Sequence, residues 1–508
     1  MKKYIYILLA AATLFTGCKK DFLTEEPFLT ESNALTLSDF DGISNAVLGA
    51  YAPLADGSWY GADWVLNSEM RAENASRPIN PDFTSGRYTL PFDMSYSADA
   101  TVGIWGTAYY VISAANNVLE QIEVVGDDYY LKGGVTQQDL DNIKAECLFL
   151  RALAHFDIAR TYAYSPAKAA VVGFDDCVPI ILRTDKTAQD QPARDKVADV
   201  FAQIEKDLTD AESLMSADYK RSGVADAKAV ASLPAIQALL ARVYLYNQEW
   251  QKAADEATKV IGNANYKLWT ADEYPAVWGL EVGGSEVIFE VYGKKSNAYD
   301  EYWEGPSHMT NPLGYADCCA APALIAIFDD PADVRGSQGI RGTDEGKALF
   351  CTDKDNASGG ELWTMKYYGK GEGDATSTPD VNNVIVLRLS EMYLIRAEAL
   401  VNGASVSGAS ALNDLNAIRA NRGVGPLASA GAADVALERR KELNFEGHYW
   451  FDLWRSASGS ITYVDDRRGD NIPADSKFWA LPIPKREYNV NKNLSYNPGF
   501  ENYRRKWT

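Results

Sequence analysis

Apolar residues that recur with helical spacing constrain how this chain can fold. Between residues 197 and 215 they appear every three or four positions, and acidic residues and lysines fill most positions between them. This spacing places the apolar side chains on one face of an α-helix, which must pack against other elements to leave water. Segments 149–156 and 236–243 follow the same spacing. The chain up to about residue 264 is therefore predicted to be mainly helical.

Segment 237–260 predicts two helices packed closely against each other. Its alanines fall where a tetratricopeptide repeat needs small residues, Tyr244 supplies the ring that fills the gap, and residues 248–250 supply the turn. Segments 389–401 and 411–420 predict a second pair, with a longer connecting loop than the repeat allows. We therefore predict a mainly α fold, a degenerate tetratricopeptide-like helix-turn-helix scaffold.

The middle of the chain has a different pattern, rich in Gly, Pro, Asp and Asn, with only short β-like runs such as 286–291. Long loops are commonly functional or disordered, and the many Trp and Tyr residues here favour function. The predicted organisation is a signal peptide (1–17), a tether (18–30), an N-terminal helical region (31–265), a loop-rich ligand-facing region with short β-strands (266–384) and a C-terminal helical region (385–508).

The N-terminus predicts export and lipidation. Lys2 and Lys3 precede an uncharged stretch over residues 4–16, which is too short to span a bilayer. Gly17 and Cys18 then resemble the lipobox of bacterial lipoproteins, in which the cysteine sulfur is acylated and anchors the protein. An ordinary secretory signal followed by a chance cysteine is the alternative. We expect Cys18 to be the lipidation site.

The charge of the chain limits its partners. The formal charge is −21, and loss of the signal peptide with Lys2 and Lys3 makes it −23. Such a charge disfavours nucleic acid or an anionic lipid surface as a partner. The expected ligand is neutral or cationic.

Cysteine and histidine predict neither a metal site nor a catalytic centre. Beyond Cys18 there are five cysteines without regular spacing, and a bridge from the Cys318–Cys319 pair to Cys351 stays open as a possibility. The three histidines are too scattered for a zinc motif, no Gly-x-Ser-x-Gly sequence occurs, and 70 carboxylates single out no acid–base pair. We predict no catalytic residue, no metal and no cofactor.

Several C-terminal motifs occur in a characteristic order. They are 386–399, 415–423, 438–447, 450–455, 481–484 and 497–500. In order and spacing they resemble the RagB/SusD family of outer-membrane lipoproteins. The N-terminal half of that family is similar to further segments of this chain, at Trp105, 116–117, 146–156 and 178–179. The motifs themselves are predicted to be structural, with ion pairs among residues 438–442 and a left-handed Gly447.

The resemblance implies a ligand surface made of loops. Sugar rings stack on Trp or Tyr while their hydroxyl groups bond to polar neighbours. Trp105 is excluded because it opens an apolar helix and is expected in the core. The predicted ligand-binding residues are Trp59, Trp64, Arg71, Asn74 and Tyr88 in a first loop region, residues 59–96, and Tyr299, Tyr302, Trp303 and Trp363 in a second, residues 292–368.

The same resemblance implies a function. Members of the family bind glycans at the cell surface and act with a SusC-like TonB-dependent outer-membrane transporter. The expected function is therefore non-catalytic capture of oligosaccharides and their delivery to that transporter, by a protein held on the outer membrane through its lipid. The alternative is the same role for peptides or another non-carbohydrate nutrient.

Overall fold

The computed structural model describes residues 36–184, 190–280, 282–293, 305–341, 348–353, 358–369 and 381–501. The predicted signal peptide and tether lie outside these residues. The described helices are α1 (Phe40–Tyr51), α2 (Asp63–Arg71), α3 (Thr89–Asp93), α4 (Ile104–Val125), α5 (Gln137–Tyr162), α6 (Pro166–Val172), α7 (Val197–Leu214), α8 (Leu233–Tyr246), α9 (Trp250–Ile261), α10 (Pro306–Met309), α11 (Pro322–Ile325), α12 (Leu389–Val401), α13 (Ala411–Ala420), α14 (Ala432–Glu442), α15 (Tyr449–Trp454) and α16 (Lys485–Val490).

The strands are few and short: β1 (Ala75–Ser76), β2 (Val287–Val291), β3 (Cys319–Ala320), β4 (Gln338–Ile340), β5 (Phe350–Thr352), β6 (Trp363–Thr364) and β7 (Val384–Arg388). β1 pairs antiparallel with β3, and β2 pairs antiparallel with β7. β5 pairs parallel with β4 and antiparallel with β6. The mainly α fold with short strands in its middle region is confirmed.

The predicted apolar stripe corresponds to α7. Its buried residues include Val200, Ile204 and Leu208, spaced four apart along one face, and this face packs against α5 and α8. α5 lies at the centre of the N-terminal half, between α4 and α7, and most of its length is buried. The Thr136 and Asp139 side chains form a capping box at its first turn, which satisfies backbone N–H groups that the helix leaves unpaired.

The two predicted helix pairs are present. α8 ends at Tyr246 and α9 begins at Trp250, with Gln248 in the left-handed region at φ 60° in the turn between them. α9 packs against α12, and α12 packs against α13. The helix-turn-helix scaffold is thus confirmed, while its relation to the tetratricopeptide repeat stays a prediction.

The main apolar core runs through the whole described body. It includes Leu37 near the start and Leu494 near the end, and the Phe149 ring of α5 contacts the Phe289 ring of β2 edge to face at 5.1 Å. This core includes residues on both sides of positions 265 and 384, and the regional boundaries at these positions stay a prediction.

The C-terminal motifs meet in a buried network of charges. Arg388 donates to Glu442 and Glu446 at 2.7 Å each, and Arg422 donates to Glu286 at 2.6 Å and to Glu442 at 2.7 Å. Burial alone would raise the pKa of Glu442, but the surrounding arginines outweigh it and hold this pKa well below its usual value. The predicted structural role of these motifs agrees with this arrangement.

The prediction of ion pairs within residues 438–442 is wrong. Glu438 bonds to Arg335 at 2.5 Å, and Arg439 bonds to Asp452 at 3.0 Å. The helix is packed inside the protein, so these side chains reach other elements instead of one another. Gly447 is left-handed as predicted, at φ 81°, but it follows the helix by several residues, and its N–H donates to Glu69 at 2.6 Å.

The five described cysteines are buried free thiols. The bridge left open between the Cys318–Cys319 pair and Cys351 is therefore not formed in this structure. Cys318 lies in the main core, whereas Cys319 and Cys351 lie in two separate small apolar clusters. Burial raises the pKa of the Cys351 thiol to about 11, which keeps it in the unreactive protonated form.

Candidate functional site

The two predicted tryptophans of the first loop region are structural. Trp59 is fully buried and donates its Nε1–H to Asp157 of α5 at 2.8 Å. Trp64 is also buried, donates to Thr161 at 2.9 Å and stacks on Phe451 with ring centroids 5.2 Å apart. Neither ring has an exposed face on which a sugar could stack. The expectation that they contact ligand is corrected for this reason.

Arg71 and Asn74 are buried as well. The Arg71 guanidinium lies over the Trp450 ring, 4.2 Å from its centroid, and burial lowers its pKa. Asn74 donates to Glu69 at 2.8 Å and accepts a hydrogen bond from Arg440 at 2.9 Å. The polar groups of both side chains contact other residues inside the protein, so the structure does not support either as a direct ligand contact.

Tyr88 and Trp363 are likewise in the interior. The Tyr88 hydroxyl donates to Asp63 at 2.9 Å, and burial raises the pKa of this phenol well above its usual value. Trp363 is fully buried in a small cluster with Ala316 and Cys319. Both residues stabilise the loops from beneath. Tyr299, Tyr302 and Trp303 lie outside the described residues and stay a prediction.

The two predicted loop regions nevertheless meet. β1 of the first region pairs with β3 of the second, with Ala75 opposite Ala320 and Ser76 opposite Cys319. The backbone N–H of Ala320 also donates to Leu362 at 2.7 Å, which adds the segment before β6 to the same ladder. Segments far apart in sequence are therefore joined through short buried strands.

Asp317 adds a second link between the two loop regions. Its carboxylate accepts hydrogen bonds from the Thr84 hydroxyl at 2.8 Å, from the Ser85 backbone at 2.7 Å and hydroxyl at 2.7 Å, and from the Gly86 backbone at 3.2 Å. A carboxylate is a strong acceptor, and this one is fully buried, although Ser85 beside it is exposed. The loop after β1 is thereby fixed to the start of β3.

Apolar side chains project from the joined loops. Ile79 is 75% exposed, Leu313 is 46% exposed and Tyr315 is 37% exposed, and half-buried Phe83 packs on the Trp363 cluster. Ile79, Phe83, Leu313 and Tyr315 are called the loop surface below. Exposed apolar residues on adjoining loops are typical of ligand or partner surfaces.

The Tyr315 ring has a defined position. Its backbone N–H donates to the carbonyl of His308 in α10 at 2.8 Å, and the two rings meet edge to face at 6.2 Å. Gly314 permits this turn, because a Cβ there would lie 2.5 Å from the His308 carbonyl oxygen. The tyrosine is thus presented by a tight turn against a short helix.

The sequence identified the two regions but not these residues. Ile79 and Tyr315 lie in loops without periodicity, where nothing in the local pattern separates an exposed apolar side chain from a packed one. The turn-forming Gly314 directly before Tyr315 is the one local signal that favoured exposure of that ring.

Two cavities open elsewhere on the described surface. One of about 690 Å³ lies between α6, α7 and the α8–α9 turn, and Glu205, Asn247 and Glu249 are among its lining residues. Burial and the neighbouring Glu249 carboxylate raise the pKa of Glu205 to about 7. Asn247 donates to both carboxylates, at 2.9 and 2.8 Å, so these polar groups are satisfied within the protein. The other cavity, of about 410 Å³, lies beside α11 and α15.

Within the described part of the chain, no three His, Cys, Asp or Glu side chains are grouped closely enough to bind a metal ion. Over the same residues, none of the helices has the length and hydropathy needed to span a membrane. The described fold defines a class: a mainly helical protein whose paired loops carry exposed apolar side chains.

Comparisons with known proteins agree with this class. Residues 28–245 match a family model described as starch-binding and associating with the outer membrane, and residues 342–500 match the SusD family model. The chain is 25% identical to SusD-like protein P2 of Formosa agariphila, over 98% of this chain and 100% of that protein. It is 24% identical to the starch-binding protein SusD of Bacteroides thetaiotaomicron, over 80% of each chain.

Solved structures give the same result. A SusD superfamily protein from Bacteroides thetaiotaomicron superposes with a TM-score of 0.76 at 27% identity, covering 91% of this chain and 100% of that one. The chain belongs to the SusD/RagB family. Members of this family are non-catalytic glycan-binding proteins associated with the outer membrane at the cell surface, and this chain is accordingly not an enzyme.

Proposed function

We propose that this protein captures oligosaccharides at the outer-membrane surface and delivers them, chemically unchanged, to a partner TonB-dependent transporter. The observation that carries the proposal is the pairing of the two predicted loop regions through β1 and β3, whose flanking loops carry exposed Ile79 and Tyr315. Family membership supplies the ligand class, and the relative from Bacteroides thetaiotaomicron is named as a starch-binding protein.

The loop surface suits a sugar ring. The axial C–H face of a pyranose packs on the Tyr315 ring or the Ile79 side chain, and the hydroxyl groups at its edge need polar neighbours. Exposed Asp82 and Ser85 lie on the same loop as Ile79. The predicted contacts Tyr299, Tyr302 and Trp303 directly precede α10 in sequence, and the α10 residue His308 touches Tyr315. We therefore keep these three residues in the proposed site.

Binding and chemical integrity of the ligand test this proposal together. Isothermal titration of the mature chain against a panel of oligosaccharides should give dissociation constants between about 1 μM and 1 mM for at least one ligand. Chromatography of that ligand after overnight incubation should show no shorter product. Release of shorter sugars by the protein alone would contradict a non-catalytic role.

Substitution locates the ligand. Tyr315→Ala should weaken binding of that oligosaccharide by roughly tenfold, because one stacked ring contributes about 1 kcal/mol or more. Tyr110→Ala is the matched control, since Tyr110 is also an exposed tyrosine, 63% accessible, but lies on α4. Equal affinity of the two variants would place the ligand away from the loop surface.

The peptide alternative has its own outcome. If no oligosaccharide binds while the protein still co-purifies with its transporter, a peptide library probed by the same titration would show whether another nutrient is the ligand. Loss of peptide binding in Tyr315→Ala would then assign the loop surface to that ligand and overturn the glycan proposal.

Anchoring through Cys18 is part of the proposal. A lipidated cysteine followed by a tether over residues 19–30 would let the folded body move at the mouth of the transporter while staying on the membrane. Cys18→Ala should release the protein from the membrane fraction and leave the ligand affinity of the soluble body unchanged. Continued membrane retention of this variant would mean that another segment anchors the chain.

A further inference from the structure

The cavity of about 410 Å³ lies at the other end of the β1–β3 ladder from the loop surface. Ala72 and Glu73, which precede β1, and Pro322, which follows β3, are among its lining residues. The loop surface lies at the opposite ends of both strands, where Ile79 follows β1 and Tyr315 precedes β3. A cavity of this size falls within the range of about 300–1,000 Å³ typical of small-molecule sites.

The lining resembles a sugar-sized site in its chemistry. One wall is the half-buried Tyr449 ring with the Arg440 guanidinium over it, 4.3 Å from the ring centroid. Ser460 and Thr462 are exposed lining residues with hydroxyl groups, and Ala326, Ile461 and Val464 are among the apolar ones. A flat ring, hydroxyl groups and a planar cation are the groups that bind a polar pyranose.

Arg440 differs from its neighbours on α14 in how its charge is satisfied. Arg439 pairs with Asp452 at 3.0 Å and Lys441 with Asp329 at 3.1 Å. Arg440 instead donates Nε–H to the Asn74 side-chain oxygen at 2.9 Å and Nη2–H to the Glu73 carbonyl at 3.2 Å, both neutral acceptors. Over the described residues, no carboxylate forms a salt bridge with it.

These bonds leave Arg440 N–H donors for a ligand. Asn74, itself held by Glu69 at 2.8 Å, fixes one edge of the guanidinium. Its remaining planar donors match a carboxylate or sulfate group, which such a fork binds with two hydrogen bonds. Glu73 also lines the cavity, and its carboxylate accepts the backbone N–H groups of Val464 at 2.9 Å and Asp465 at 2.8 Å.

We propose that this cavity is a second carbohydrate site, which binds an anionic sugar unit through Arg440 and Tyr449. The inference rests on the proposed function, since it specifies one class of glycan that the protein would capture. It also departs from the neutral or cationic ligand expected from the net charge of −21. Charges beyond about 8 to 10 Å are screened at physiological salt, so the nearby guanidinium decides the local preference.

Saturation-transfer NMR titrations of the mature chain with glucuronate, glucose 6-sulfate and glucose test the charge preference. At least one anionic sugar should bind roughly tenfold more tightly than glucose, because hydrogen bonds to charged groups are worth about 1.5–3 kcal/mol. Preference for glucuronate assigns a carboxylate, and preference for glucose 6-sulfate assigns a sulfate. Equal affinity of all three sugars would overturn the proposal.

Two variants locate this binding. Arg440→Gln should remove the preference for the anionic sugar, and Ala326→Phe should block the cavity by filling it while Arg440 stays in place. Arg183→Gln, at an arginine half-exposed elsewhere, is the charge-matched control and should leave affinity unchanged. Unchanged affinity in Ala326→Phe would overturn the site even if Arg440→Gln failed to fold.

Failure of this inference is distinguishable from failure of the proposed function. Binding of a neutral oligosaccharide that depends on Tyr315, without any anionic preference at Arg440, would reject the second site alone. Absence of binding to every sugar, neutral or anionic, would reject both.

Discussion

The carboxylate of Asp317 accepts the backbone N–H of Ser85 at 2.7 Å and so joins two loops 232 residues apart in sequence. Three further hydrogen bonds from Thr84, Ser85 and Gly86 converge on the same group. Because Asp317 is buried, it acts as a fixed point between β3 and the loop that carries Ile79. This side chain therefore adds to the β1–β3 pairing a second link between the two parts of the loop surface.

Asp317→Ala should loosen that loop. Four donors lose their acceptor, so we expect faster amide exchange at residues 84–86, stability lower by about 1–3 kcal/mol and weaker oligosaccharide binding. Hydrogen-exchange mass spectrometry and titration calorimetry measure these effects. Asp199→Ala, an exposed acid on α7, is the control and should change none of them. Unchanged exchange in Asp317→Ala would show that other contacts hold the loop.

Arg388→Ala should be strongly destabilising. The change leaves Glu442 and Glu446 buried with fewer cationic partners, and breaking such a buried pair costs about 3–5 kcal/mol. Urea unfolding followed by tryptophan fluorescence measures it. Arg183→Ala removes a solvent-exposed arginine paired with Glu123 at 3.2 Å and should cost less than about 1 kcal/mol. Similar losses in both variants would contradict a structural role for the network.

Trp363→Ala should lower stability much more than Tyr315→Ala. Removing a fully buried indole leaves a cavity and costs about 3–5 kcal/mol, whereas Tyr315 already exposes much of its ring. Thermal and urea unfolding of both variants provide the comparison. If Trp363→Ala unfolded like the unmodified protein yet lost ligand affinity, Trp363 would be a ligand contact after all.

Glu290 should make stability depend on pH. Burial and the neighbouring Asp226 raise the pKa of Glu290 from 4.5 to about 8. The folded state therefore holds this proton where the unfolded state releases it, and the contribution is complete below about pH 4.5 and is lost as pH rises through about 8. Urea unfolding from pH 5 to pH 9 should show a shallower decline in Glu290→Gln. Parallel pH profiles would exclude this proton as the cause.

The thiols of the mature body should react only after unfolding. Cys147, Cys177, Cys318, Cys319 and Cys351 are buried and free, so a chain beginning at residue 19 should show no fast reaction with Ellman's reagent. In guanidinium without reductant, all five should titrate. If only three thiols titrated in the unfolded chain, two cysteines would form a disulfide, which would contradict the five free thiols of this structure.

Much of the helical scaffold was predictable because its signal is local. The apolar stripe over residues 197–215 predicted α7, and the turn at 248–250 predicted the boundary between α8 and α9. Each of these patterns involves residues that lie close together in sequence. The run 286–291 likewise predicted β2. Helical period and turn chemistry depend on neighbours in sequence, and one chain displays them directly.

Tertiary contacts alone decided which loop residues face solvent. Trp59 and Trp363 lie in polar segments much like that of Tyr315, but Asp157 and the Ala316–Cys319 cluster bury them. The partners of Glu438 and Arg440 also lie on distant elements, Arg335 and Asn74. Burial of a loop side chain depends on segments tens to hundreds of residues away, so the sequence determined the scaffold and the regions of the site, and packing determined its residues.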